Sequence, residues 1–110
     1  MKAPVIVCLC GSTRFSEAFR QANLRETLAG RIVLSIGCDM RTDEDIFRCT
    51  PHKRAAQIKA QLDELHKRKI DLADEVLILN VGGYIGDSTR SELDYARAHR
   101  KRVRFLEGEK

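Results

Sequence analysis

The sequence predicts an α/β domain built on a doubly wound parallel sheet of four to five strands, and three observations predict it. Short apolar runs rich in valine and isoleucine alternate along the chain with amphipathic segments of helix length. No internal repeat or linker interrupts that alternation, and the connections that follow the strands are polar or rich in glycine.

The 110 residues suit a single domain, residues 1–110, able to bury roughly two thirds of the surface its unfolded chain exposes. Hydrophobic residues make up 43% and charged residues 33%, which excludes a disordered chain and a fibrous repeat.

Val5 to Cys10 is a continuous apolar run, as expected for a central strand covered on both faces. Beyond Gly11, the residues Phe15, Ala18, Phe19, Ala22 and Leu28 recur at helical spacing, with Ser12 or Thr13 as the N-cap and Gly30 as the stop. Ile32 to Ile36 is the second strand, ended by Gly37. The polar stretch 37–51 is too long for an ordinary connection and is read as a lid or an insertion. A long helix is expected from near His52 to Leu72, with Ile58, Leu62, Leu65 and Leu72 sharing its apolar face. Val76 to Leu79 is the third strand and V-G-G-Y-I-G-D a glycine-rich loop. A helix from about Ser88 to His99 and a last strand from Val103 to Leu106 complete the order. Right-handed crossovers in such a sheet place a ligand beyond the carboxyl ends of the strands, which selects the loops at 11–14, 37–51 and 80–91.

No apolar segment approaches the roughly 20 residues that span a bilayer, and no secretory leader is recognisable, so a cytoplasmic protein without a membrane partner is expected. Cys8 and Cys10 lie in the first strand, on one face, and are read as free thiols. A metal site joining them to Cys38, Cys49 or His52 matches no paired C-x-x-C pattern, so no metal or other cofactor is assigned. The net charge of +4 favours anionic partners, and its densest source is R-A-H-R-K-R-V-R from Arg97 to Arg104. With aromatics at only 5%, stacking platforms for nucleic acid are scarce. That run is therefore read as a basic helix C-terminus followed by an edge strand that turns Arg102 and Arg104 outward, and a nucleic-acid partner is not expected.

Three stretches carry chemistry. In C-G-S-T-R, Gly11 permits close backbone approach, and Ser12, Thr13 and Arg14 stand where the amides of a helix start attract a phosphate; a plain helix cap with Arg14 in solvent is the competing account. In G-D-S-T-R-S-E-L-D-Y-A, Glu92 falls in the first turns of a helix and points to the carboxyl edge of the sheet. Thr89 with Glu92 also fits a capping box, which would make that carboxylate structural. In L-D-E-L-H-K-R-K, Asp63 and His66 are three residues apart on one helix face, near the carboxyl edge, where one can orient the other. Glu64, Lys67 and Arg68 are read as a solvated face.

Together, C-G-S-T-R after the first strand, A-D-E-V-L-I-L before the glycine-rich loop and S-E-L-D-Y-A at the next helix resemble the nucleoside 2-deoxyribosyltransferase-like superfamily, over nearly the whole chain. That superfamily includes the transferases and the nucleoside 5'-monophosphate N-glycosidases. The resemblance implies a small Rossmann-like, flavodoxin-like fold, no cofactor and a homodimer. It also implies that Glu92 is the nucleophile at the anomeric carbon, that Gly11 and Arg14 hold a 5'-phosphate, and that Ser88 and Ser91 assist from the facing helix. The chain departs from the family at two positions. His66 replaces an aspartate that assists departure of the base, leaving His66 or Asp63 to supply the proton. Cys8 replaces a tyrosine, leaving Tyr84 for the sugar contact. The expected activity is cleavage of the base–sugar bond of a nucleoside monophosphate. Deoxyribosyl transfer and a non-catalytic nucleotide sensor are the alternatives.

Overall fold

The computed structural model describes residues 3–36 and 52–108, apart from the side chains of residues 52, 53 and 55. The stretch 37–51, including Cys38 and Cys49, lies outside the described residues. In chain order the elements are β1 (Ile6–Cys10), α1 (Ser16–Leu28), β2 (Ile32–Leu34), α2 (His52–Leu72), β3 (Glu75–Ile78), a single 3-10 turn (Val81–Gly83), α3 (Asp87–Ala98) and β4 (Arg102–Phe105). The four strands form one sheet, all parallel, in the order β2-β1-β3-β4. This is a small Rossmann-like doubly wound fold, and the direction of winding reverses between β1 and β3, where such sheets open a crevice.

The period-2 pattern of β1 explains the two layers of core. Val7 and Leu9 face one side with Leu77 and Leu79, and Phe19 and Ala22 of α1 close over them. Cys8 and Cys10 face the other side with Val76 and Ile78, covered by Ile70 of α2 and by Leu93 and Ala96 of α3. Each of the larger buried side chains contributes about 1.5–3 kcal/mol through removal from water, so this two-sided burial is what holds the strand ends, and hence the loops, in place. Among the described residues, no helix is long and apolar enough to cross a membrane.

Three expectations are corrected. Helix α1 begins at Ser16 with Phe15 as its N-cap and no side-chain cap, because Ser12 instead closes a turn: its carbonyl accepts from the Phe15 amide at 3.0 Å and its Oγ accepts from the Arg14 amide at 3.3 Å. On α2, Leu65 and Leu72 are exposed, at 51% and 68%, while His66 and Ile70 are buried with Ala73 just beyond the helix. The inward stripe runs through a polar residue, so a count of leucines points to the neighbouring face. Finally, β4 is an edge strand with Arg102 exposed, but Arg104 turns in. Its guanidinium bonds Glu75 Oε1 at 2.7 Å and also pairs with Glu26, a carboxylate that is 2% exposed at the end of α1. Burial alone would raise the Glu26 pKa, yet the hydrogen bond and charge of Arg104 outweigh it and hold the carboxyl below its ordinary range.

Candidate active site

The crevice between β1 and β3 is a cleft of about 230 Å³ at the carboxyl edge of the sheet. One wall is the loop after β1, with Gly11, Ser12 and Thr13. A second is α2, with Lys59, Leu62, Asp63 and His66. The third is the loop and helix start after β3, with Tyr84, Gly86, Asp87, Ser88, Thr89 and Glu92.

Two glycines let these walls approach. A Cβ on Gly11 would meet the Leu79 Cβ at 3.0 Å, so only glycine lets the chain leave β1 this close to the end of β3. A Cβ on Gly86 would meet the Tyr84 hydroxyl at 3.1 Å, so the lack of a side chain there lets the tyrosine lie across the cleft. The loop carrying Tyr84 is anchored from beneath. Asn80, fully buried, donates to the Glu107 carbonyl at 2.7 Å and accepts from the Glu107 amide at 2.9 Å, while Glu107 Oε2 accepts from the Gly82 amide at 2.8 Å. The Arg14 guanidinium lies 4.6 Å from the Tyr84 ring centroid, a cation–π contact at the rim.

Helix α3 starts with Gly86 as N-cap, and no side chain caps it. Thr89 and Glu92 thus lie inside the helix, and the capping-box account of Glu92 is overturned. Glu92 is 9% exposed and faces the cleft floor, where its Oε1 is 4.0 Å from His66 Nε2. His66 in turn meets the thiols of β1, at 3.6 Å from Cys8 Sγ and 3.5 Å from Cys10 Sγ.

Burial pushes the Glu92 pKa up to about 7; the His66 charge opposes that shift, while the charges of Cys8 and Asp63 reinforce it. Burial pulls His66 down, but its hydrogen bond with Cys8 and the charge of Glu92 more than compensate, and its pKa is raised. A hydrogen bond from Cys10 lowers the Cys8 thiol to about 5, against burial, and the same bond raises Cys10. The floor is a coupled acid–base cluster that shares its protons.

Compared with family models, curated proteins and solved structures, the chain matches none of them. The family resemblance rests on the sequence motifs.

Of the residues singled out from sequence, Gly11, Ser12, Thr13, Asp63, His66, Tyr84, Ser88 and Glu92 all line the cleft. Arg14 reaches its rim through Tyr84, whereas Ser91 is exposed on α3 and is not among the lining residues. The proposed pairing of Asp63 with His66 gives way to another arrangement: Asp63 Oδ1 lies 3.8 Å from Lys59 Nζ, and His66 turns to the thiols and Glu92. Sequence reasoning missed Lys59, whose Nζ also donates to Ser88 Oγ at 3.4 Å, and gave no site role to Asp87 and Thr89, which lie in the 80–91 stretch it selected. Lys59 stands four residues before Asp63 on α2, so helical spacing from a residue already singled out would have found it.

The raised pKa of Glu92 has a consequence for stability. The folded state keeps this proton up to about pH 7, whereas the unfolded carboxyl, with its ordinary value of 4.5, releases it earlier. Stability therefore falls as pH rises across that window and levels above it. Glu92→Gln, which carries no such proton, is expected to match the wild type near pH 4.5 and to exceed it at pH 8. The gain should be roughly 2 kcal/mol, allowing for water that reaches the carboxylate from the cleft. Thermal melts of both proteins across this pH range check it.

Proposed function

We propose that the protein hydrolyses the base–sugar bond of a nucleoside 5'-monophosphate, with Glu92 as the nucleophile. The observation that carries this reading is convergence: a buried carboxylate on α3 stands at the floor of the same cleft whose rim holds the Gly11–Arg14 loop and the amino end of α3.

The phosphate end is served by three features. The turn at Ser12 exposes hydroxyls beside the cleft, the α3 amino terminus offers the positive end of its dipole, and Arg14 supplies a guanidinium whose plane is steadied by Tyr84. At the other end, a Glu92 oxygen attacks the anomeric carbon as the carbon–nitrogen bond breaks. The bond's electrons leave with the base, which takes a proton from Asp63 or His66 on α2. Water then hydrolyses the glycosyl ester, freeing Glu92 and the sugar phosphate. A monophosphate brings roughly two negative charges, and this ranks it above an unphosphorylated nucleoside, for which Arg14 has no partner. Exposed Leu24, Leu28 and Ile32 on α1 and the edge strand β2 support the homodimer that the resemblance implies.

The test is a panel of ribo- and deoxyribonucleoside monophosphates, and their nucleosides, assayed for free base. Base release from monophosphates alone is expected, and transfer of the sugar to an added base would favour the transferase. Saturable binding with no base released from any member would overturn the reading in favour of a sensor. Arg14→Ala is expected to raise KM for the monophosphate roughly tenfold, through loss of a charge-assisted contact, and to leave nucleoside binding unchanged. Steady-state kinetics on both substrates measure the difference.

A further inference from the structure

We propose that Cys8, Cys10 and His66, with Glu92 as the fourth ligand, form a binding site for a thiophilic divalent cation of the zinc class at the floor of the cleft. The site shares His66 and Glu92 with the nucleotide reading, so a metal-filled floor and a hydrolytic floor exclude one another, but metal binding is measured with no substrate present and its failure leaves that reading untouched.

The donors come from three elements that the fold holds rigidly together. Cys8 and Cys10 are two residues apart on the central strand β1, so the pleat turns both sulfurs to the same side. His66 of α2 meets them from above, and Glu92 of α3 stands beside the imidazole, just outside this group of three. The two sulfurs and His66 Nε2 all lie within 4.8 Å of one another.

The spacings fit the edges of a coordination tetrahedron. Zinc–sulfur bonds of about 2.3 Å and zinc–nitrogen bonds of about 2.0 Å, opened to the tetrahedral angle, put sulfur and nitrogen about 3.5 Å apart. The two sulfur–nitrogen distances here are 3.6 and 3.5 Å. The same bond lengths require nitrogen and carboxylate oxygen about 3.3 Å apart, against the 4.0 Å between His66 Nε2 and Glu92 Oε1. As the fourth ligand the carboxylate moves in toward the imidazole and the sulfurs, from its present place outside their 4.8 Å group.

The chemistry of the donor set selects the ion. Two thiols and an imidazole favour zinc or another thiophilic metal over magnesium and calcium, which take oxygen ligands at longer range and in greater number. Cys8 and Cys10 are fully buried and His66 is 5% exposed, so competing water is scarce. His66 and Glu92 also line the cleft, which gives the ion a path in. On binding, each protonated thiol loses its proton to solvent and the sulfur keeps the electron pair it donates. A hydrogen-bonded thiol–imidazole cluster with no affinity for metal is the competing account.

Titration of the full-length, reduced and metal-stripped chain with cobalt(II) separates the two. We expect saturation at one ion per chain, with the strong near-ultraviolet band of thiolate bound to cobalt and the visible bands of a tetrahedral ion, both bleached by zinc. Because Cys38 and Cys49 are further thiols, the titration is repeated on the Cys38→Ser/Cys49→Ser chain, which is expected to keep both spectra. In that background Cys8→Ser should lose the thiolate intensity and bind zinc at least about a hundredfold more weakly, beyond what loss of an outer-shell partner costs. Should Cys8→Ser fail to fold, a zinc-induced rise in the melting temperature of the Cys38→Ser/Cys49→Ser chain serves as the second measurement. Absence of the thiolate band from that double variant, or no zinc-induced rise in its melting temperature, would overturn the site. So would a band undiminished in a folded Cys8→Ser chain.

Discussion

Glu92→Ala is expected to slow release of free base from a nucleoside monophosphate by at least about a thousandfold, while the protein still folds and still binds the nucleotide. The size follows from the role. The proton donor on α2 and the other walls contribute acid catalysis, binding and orientation, and none of them replaces the nucleophile that forms the covalent intermediate. Glu92→Gln should be nearly as slow, since the amide has the shape of the carboxyl without its nucleophilic charge. The wild-type rate constant kcat/KM should climb as pH rises through about 7, where burial has moved the Glu92 carboxyl, and this limb belongs to the free enzyme. Chromatographic measurement of free base for the three proteins across that range tests both statements. A Glu92→Ala protein that releases base at the wild-type rate removes Glu92 from the mechanism.

Arg104→Ala carries the largest expected effect on stability. The Arg104 guanidinium is the shared partner of Glu26 and Glu75, which are 2% and 5% exposed on the face that α1 covers. Removing it takes the closest partner from two buried carboxylates, and Arg25 at 3.6 Å and Arg31 at 3.4 Å from Glu26, with Arg31 at 3.8 Å and Arg102 at 4.0 Å from Glu75, offset only part of the cost. Arg104 is itself about one-third exposed. Discounted for that exposure and for the three neighbouring arginines, the loss is roughly 3 kcal/mol, which in a domain of this size lowers Tm by roughly 10–15 °C. The pH dependence is diagnostic. Because the Glu26 pKa is lowered in the folded state, its contribution is fully present above the ordinary carboxylate value and is lost as pH falls through the folded one. The gap between Arg104→Ala and wild type should therefore narrow in acid, and melts at neutral and acid pH would show it.

Much of this molecule was legible in its sequence because the informative patterns are local. The alternation of strand and helix, the apolar run before Gly11 and the glycine-rich stretch after β3 each report a backbone state, and parallel topology follows from the order in which they occur. Glu92, His66 and Asp63 were found because a helix that joins parallel strands starts at the carboxyl edge. The errors have one origin, which is that sequence does not say which polar residues are buried. Polarity puts His66 beside Asp63 on one helix face and Arg104 in solvent, whereas each is held inward by partners distant in the chain. The N-cap of α1 failed for a similar reason: Ser12 uses its hydrogen-bonding groups in a turn that the residue order does not distinguish from a cap.

The two ends of the sheet are built on different terms. At the amino end, Glu75, Glu26 and Arg104 tie α1, β3 and β4 together, and Asp74 Oδ2 accepts from the Ile6 amide at 2.8 Å. At the carboxyl end, the loops bordering the cleft are mostly half-exposed and lean on few anchors, among them Asn80. The ties between buried ionised side chains lie where no ligand comes, which frees the opposite rim, outside Gly11 and Gly86, to accept new side chains at little risk to the scaffold. Mutational tolerance should divide along the strands accordingly, so that a change of substrate preference can be sought around the crevice without first reinforcing the protein.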